Sequence, residues 1–108
     1  MDVRLYGEET VLMIVTITFS ATEGNRDALV EKLLSILPDT RAFDGCNSIT
    51  FVESQEAAGN LTLIEDWASS KQYNAYKAWR KESGTSVLGS DLVDPASLSS
   101  HAFEILSN

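Results

Sequence analysis

Between Glu65 and Lys81 the chain gathers most of the side chains able to do chemistry. Glu65 and Trp67 lie two apart in a run, Leu61 to Trp67, whose alternation reads as a strand. They therefore share one face with Leu61 and Leu63, while Thr62, Ile64 and Asp66 take the other. If the first face is inside, Glu65 is a desolvated carboxylate with a raised pKa and a candidate proton acceptor. On a strand edge it is an ordinary glutamate reaching solvent or an arginine. In the segment that follows, Tyr73, Tyr76, Trp79 and Arg80 fill one connected arc of a helical wheel. Four of the eight basic residues (Lys71, Lys77, Arg80 and Lys81) fall in the same helix with no acid between them. Aromatic rings beside cations suit a flat, electron-rich or anionic ligand. The plainer alternative makes the rings core and the lysines a snorkelling solvent face.

Other chemistries find little to work with. His101 sits at the start of the last predicted strand without an acidic residue fixed beside it, and no G-x-S-x-G elbow is present. Glu65 and Asp66 point to opposite faces and cannot act as a carboxylate pair. Cys46 follows Gly45 in a loop with only Arg41 near in sequence to favour a thiolate, so a buried turn cysteine is the simpler reading. One cysteine and one histidine cannot build a zinc site from soft ligands. Gly84-Thr85-Ser86 lacks the lysine and the glycine spacing of a phosphate loop, and no dinucleotide fingerprint follows the first strand. Neither a metal nor a cofactor is expected.

Composition narrows the field further. Sixteen acidic residues against eight basic give a net charge of −8, the wrong field for a phosphate backbone, so no nucleic-acid partner is expected. The 108 residues are the size of a single domain, and 44% hydrophobic with 22% charged is ordinary globular composition. A lone cysteine forms no intrachain disulfide, which fits a reducing cytoplasm. Val11 to Phe19 is too short and too threonine-rich to span a bilayer, and Glu8 and Glu9 precede it where a signal peptide needs a basic region. No membrane association is expected.

The elements that must position these residues are legible from periodicity. Residues 1–10 have no clear period and read as an N-terminal extension to a single domain over 11–108. Val11 to Ser20 is a β-branched strand, apolar on one parity and turning from apolar to hydroxylated on the other. Asn25 to Leu37 is an amphipathic helix, with Pro38 and Asp39 predicted to stop it. A short strand about Ile49, Phe51 and Val52, a hairpin turn over residues 56–60, and the Leu61–Trp67 strand follow. The second helix is predicted to run from Ser69 or Ser70, one of them its cap, to Glu82. Serine-rich residues 84–100 are predicted as a surface loop or lid with a turn of helix near Val87 to Leu92, before a last strand from Ala102 to Leu106. This order predicts an α+β, ferredoxin-like split βαβ fold with both helices on one face of an antiparallel sheet. No element is left to cover the other face, so a homodimer packed sheet to sheet is expected.

Glu65-Asp66-Trp67, two residues before the Ser69-Ser70 helix start, resembles the E-x-W-x-S signature of the antibiotic biosynthesis monooxygenase domain. Gly45-Cys46 resembles the Gly-Cys turn before that family's second strand. The resemblance runs from about Val11 to Leu106. It implies a dimeric α+β barrel with a pocket between sheet and helices in each subunit, Trp67 lining the pocket and Tyr73 offering a hydroxyl to substrate. It also implies metal- and flavin-free oxygenation of quinols or polyketide anthrones, whose phenolate or carbanion can pass an electron to oxygen directly. Many members carry a histidine on the second helix where this chain has Tyr76, and often another where it has Lys81. Haem-degrading relatives use a histidine in this region, so haem is not expected.

The leading expectation is a cofactor-independent monooxygenase or oxidase of small aromatic compounds. Tyr73, Tyr76 and Glu65 are its candidate catalytic groups, and Trp67, Trp79 and Arg80 its candidate substrate-binding groups. The alternatives are a non-catalytic dimeric module binding a small molecule, and an isomerase or cyclase on the same fold.

Overall fold

The computed structural model describes residues 12–107. The expected N-terminal extension and Val11 lie outside the described residues. Four strands, β1 (Met13–Ser20), β2 (Cys46–Glu53), β3 (Asn60–Trp67) and β4 (Ser99–Glu104), and two helices, α1 (Arg26–Ala42) and α2 (Ser70–Glu82), follow in the order β1-α1-β2-β3-α2-β4. The sheet is antiparallel throughout with spatial order β2-β3-β1-β4, the ferredoxin-like arrangement.

Register decides which residues meet. Met13, Val15, Ile17 and Phe19 of β1 stand opposite Trp67, Glu65, Leu63 and Leu61 of β3, and all eight side chains are buried. Period-2 alternation thus puts one parity of both central strands under the helices. On α1, Leu29, Leu33 and Leu37 recur every four residues as a buried stripe over that face. The opposite face carries Thr16, Thr18 and Thr62 with Ile64, Val52 and Phe103, the last three substantially exposed.

Three predicted boundaries need correction. The first helix does not stop at Pro38 but continues to Ala42. Proline lacks the N–H that would bond the Leu34 carbonyl, a loss that costs up to about 3 kcal/mol in a helix interior. Leu34 lies on the solvent side, 56% exposed, where water can serve that carbonyl, and the added turn buries Thr40. The last strand begins at Ser99 rather than Ala102, because Ser99, Ser100 and His101 find ladder partners in Thr18, Ile17 and Thr16. Pairing here overrides the weak β-propensity of serine. No helix forms over Val87 to Leu92; the segment is a chain of turns ending in one turn of 3₁₀ helix at Pro95–Ser97. It is tied to the end of β1 by Asp94 N–H to Ser20 O and Thr22 N–H to Leu92 O, both 2.9 Å, while Val87 and Val93 are buried.

The α2 N-terminus is positioned by two devices. Ser69 is the cap, its hydroxyl accepting the Gln72 N–H at 3.1 Å. Gly45 adopts φ 96°, and its carbonyl accepts the Ala68 N–H at 2.8 Å. A Cβ at Gly45 would fall 2.5 Å from Cβ of Gln72, which explains a glycine before Cys46. Gly45→Ala is expected to destabilise the protein by about 2 kcal/mol or more, backbone strain adding to overpacking. Gly59→Ala, also at positive φ but with nothing within 4 Å of the new Cβ, should show the strain alone, about 1 kcal/mol. Urea unfolding of the two variants measures the difference.

Candidate functional site

Between the helix-covered sheet face, the two helices and the segment after α2 lies a cavity of about 380 Å³. That is within the range of small-molecule sites. Its walls are apolar, from Ile17, Leu33, Leu37, Ile49, Leu63 and Val87, and its polar groups gather in a few places. Leu98 and the exposed Ser86 and Ser100 place the opening beside edge strand β4.

Among the described residues Glu65 is the only carboxylate in the lining, 2% exposed. Its Oε1 accepts Nε1–H of Trp67 at 2.9 Å. Burial pushes the carboxyl above the usual carboxylate range, against the opposing pull of the Trp67 hydrogen bond and the Arg80 charge. The inward reading of Glu65 therefore holds.

On α2, Tyr73, Tyr76 and Arg80 all reach the cavity. Burial, reinforced by the charge of Glu65, pushes the Tyr73 hydroxyl up to about 12, with a hydrogen bond to Ser100 opposing. Tyr73 is thus a neutral donor at physiological pH. Arg80 is 5% exposed and acts as a clamp. Its Nε donates to Tyr76 Oη at 2.9 Å and its Nη1 to Thr85 Oγ1 at 3.2 Å; Nη2 donates to both Ile36 O at 3.0 Å and Thr40 Oγ1 at 2.9 Å. Thr40 Oγ1 and Tyr76 Oη close the cluster at 2.7 Å. Lys77 lies at the rim with Nζ 4.6 Å from the Tyr73 ring centre.

The two tryptophans stand elsewhere than the sequence reading placed them. Trp67 does not line the cavity. Its indole is fully buried behind the wall, with ring centres 5.1 Å from Tyr76 and 5.5 Å from Tyr73, and it holds Glu65 through its N–H. Trp79 also lies outside the lining: it is 36% exposed and covers the guanidinium of Arg80 at 4.7 Å. One packs the cavity's polar groups from within and the other shields them from solvent. Cys46 is half-buried, its thiol pushed up by burial and by Glu65, which suits a turn cysteine. His101 is exposed on β4, 3.0 Å from Ser99 Oγ, on the strand parity that faces away from the cavity. Thr40 escaped the sequence reading because it lies beyond Pro38. Its signal was the continuation of the Leu33-Leu37 spacing by one more turn. Among the described residues, no three His, Cys, Asp or Glu side chains group to hold a metal ion, and no helix is long and apolar enough to cross a membrane.

The fold recurs among solved structures. A protein of Deinococcus radiodurans, provisionally assigned as an antibiotic biosynthesis monooxygenase, superposes with a TM-score of 0.76 at 23% identity, over 89% of this chain and 94% of its own. A Shewanella oneidensis protein gives 0.75 at 21% identity, over 89% and 92%. A Pseudomonas aeruginosa protein gives 0.74 at 17%, over 94% and 100%. At these identities the likeness is one of fold. No curated protein matches the sequence. The family model for antibiotic biosynthesis monooxygenase matches residues 12–84, a span from β1 through α2 that includes the Gly45-Cys46 turn, Thr40, Glu65, Tyr76 and Arg80. The chain belongs to the antibiotic biosynthesis monooxygenase family.

Proposed function

We propose that this protein is a monooxygenase of small aromatic, quinol- or anthrone-like compounds, working without a cofactor as a cytoplasmic homodimer. The observation that carries the reading is the pairing of a buried carboxylate with a buried guanidinium in one apolar cavity. Glu65 takes a proton from the substrate's phenol or activated C–H, Tyr73 donates a hydrogen bond to its oxygen, and Arg80 favours the anion that forms. Tyr76 holds Arg80 in place rather than accepting the proton. The electron-rich anion then reduces oxygen. For an anthrone the overall change is CH2 + O2 → C=O + H2O, with the substrate supplying the electrons and dioxygen the oxidant. The apolar walls limit the water that reaches the intermediates.

Oxygen uptake against a panel of hydroquinones and anthrones tests this, with autoxidation subtracted. Tyr73→Phe is expected to lower kcat/KM by about tenfold to a hundredfold, the worth of one hydrogen bond to a charged oxygen, while leaving the affinity for unreactive analogues nearly unchanged. A second reading, a binding module without chemistry, is favoured by the absence of an imidazole from the cavity, the single histidine being His101 on the far side of the sheet. Ligand binding without oxygen uptake would establish it.

The dimer is supported by the sheet face that no helix among the described residues covers, where Ile64, Val52 and Phe103 remain exposed. Sedimentation is expected to give twice the 11.8 kDa chain mass. The paired substitution Ile64→Glu with Phe103→Glu should give monomers. A wild-type monomer would remove the sheet-to-sheet assembly.

A further inference from the structure

Around the cavity, hydrogen-bond donors exceed acceptors. Tyr76 Oη and Thr40 Oγ1 each accept an N–H of Arg80 at 2.9 Å and lie 2.7 Å from one another. Two hydroxyl protons are present and the contact between the oxygens uses one, so the other has no acceptor among the described residues. Arg80 makes four bonds, all to neutral oxygens, so its buried charge has no direct ionic partner among the described residues. Lys77 adds a second cation at the rim. Against these stands one carboxylate, Glu65, with one oxygen already held by Trp67. From the other elements around the cavity, α1 and β4 contribute the hydroxyls of Thr40 and Ser100 and the segment after α2 that of Ser86.

A buried cation with only neutral partners is costly, and a ligand that neutralises it binds with that cost relieved. A neutral alcohol or ester can accept the spare O–H group but leaves the charge of Arg80 unbalanced. We propose that the cavity binds its aromatic ligand as an organic monoanion, with the negative oxygen seated at the Arg80–Tyr76–Thr40 corner and the ring against Leu33, Leu37 and Leu63. The proposal rests on reading the cavity as a site for flat aromatic compounds and narrows it to ring acids, or to phenols whose oxygen is held at this corner as the phenolate. Tyr73 stays protonated in this range, so it too greets the anion as a donor.

Calorimetric titration of the full chain with naphthoate, its uncharged carboxamide and naphthol tests the proposal. Naphthoate is expected to bind about tenfold or more tighter than the carboxamide, the worth of a hydrogen bond to a charged partner. The advantage should vanish in Arg80→Gln. Where that variant fails to fold, the near-isosteric Thr40→Val should still reduce it about threefold or more. An affinity for naphthol that climbs as the pH approaches the naphthol's own ionisation assigns the corner to phenolates; a naphthoate advantage at neutral pH assigns it to carboxylates; either supports the inference. Equal binding of naphthoate and carboxamide, with naphthol affinity independent of pH, would overturn it and leave the aromatic pocket standing. Failure of all three compounds to bind would overturn the aromatic reading and this inference with it.

Discussion

Replacing Glu65 by glutamine is expected to leave the fold in place and to lower oxygen-dependent turnover by about a hundredfold to ten-thousandfold, the usual contribution of a positioned general base. The glutamine oxygen can still accept from Trp67 Nε1, so the wall behind the cavity keeps its hydrogen bond. What is lost is the proton acceptor. The pH profile separates this role from a packing role. The wild-type carboxyl must be ionised to act, and burial holds its pKa above the usual carboxylate range. Turnover should therefore fall on the acid side at a higher pH than an unperturbed glutamate would give, and the residual activity of Glu65→Gln should lack that limb.

Stability carries the same signature with its own sign. In the folded chain Glu65 binds its proton more tightly than in the unfolded chain, so raising the pH from below the ordinary glutamate range through the raised folded value weakens the native state. Glu65→Gln has no such dependence. The variant should match wild type at low pH and gain on it as the pH rises, levelling once the folded carboxyl is ionised. Denaturant titrations at several pH values measure the difference. A constant difference across the range would mean that burial does not raise the Glu65 carboxyl, and the shifted acid limb of turnover should then be missing as well.

The parts of this site that were legible in the sequence are those set by short-range pattern. Alternation from Leu61 to Trp67 is enough to put Glu65 and Trp67 on one face, because the strand period is two whatever the tertiary setting. The cap at Ser69 and the arc of Tyr73, Tyr76 and Arg80 follow from helix geometry in the same way. Long-range packing was not legible. Whether Trp67 faces the cavity or the core depends on Phe43, Tyr73 and Tyr76 crowding its ring, contacts that join three elements. Pro38 hid Thr40, since its local penalty is visible in sequence while the burial that offsets it is not. Ser99 and Ser100 became strand because β1 offers them a ladder, a fact about a neighbour eighty residues away rather than about serine.

Arg80→Met is expected to destabilise the protein by about 3 kcal/mol, lowering the thermal midpoint by about 12 °C or more for a domain of this size. The guanidinium joins α1, through Ile36 O and Thr40, to Tyr76 on its own helix and to Thr85 beyond it. Methionine fills much of the volume and relieves the buried charge, so the net loss is smaller than four charged hydrogen bonds would sum to. Arg80→Lys keeps the charge but supplies three donors from one nitrogen and no planar fork, and should recover less than half of the loss. Acid pH distinguishes the source of this stability. If Arg80 acted mainly through attraction to Glu65, protonating that carboxylate would erase the difference between wild type and Arg80→Met. Every hydrogen bond it makes is to a neutral oxygen, so the difference should persist below the pH at which Glu65 is neutral. The clamp is then independent of the charge state of the base across the cavity, and the guanidinium stays fixed while Glu65 gains and loses its proton.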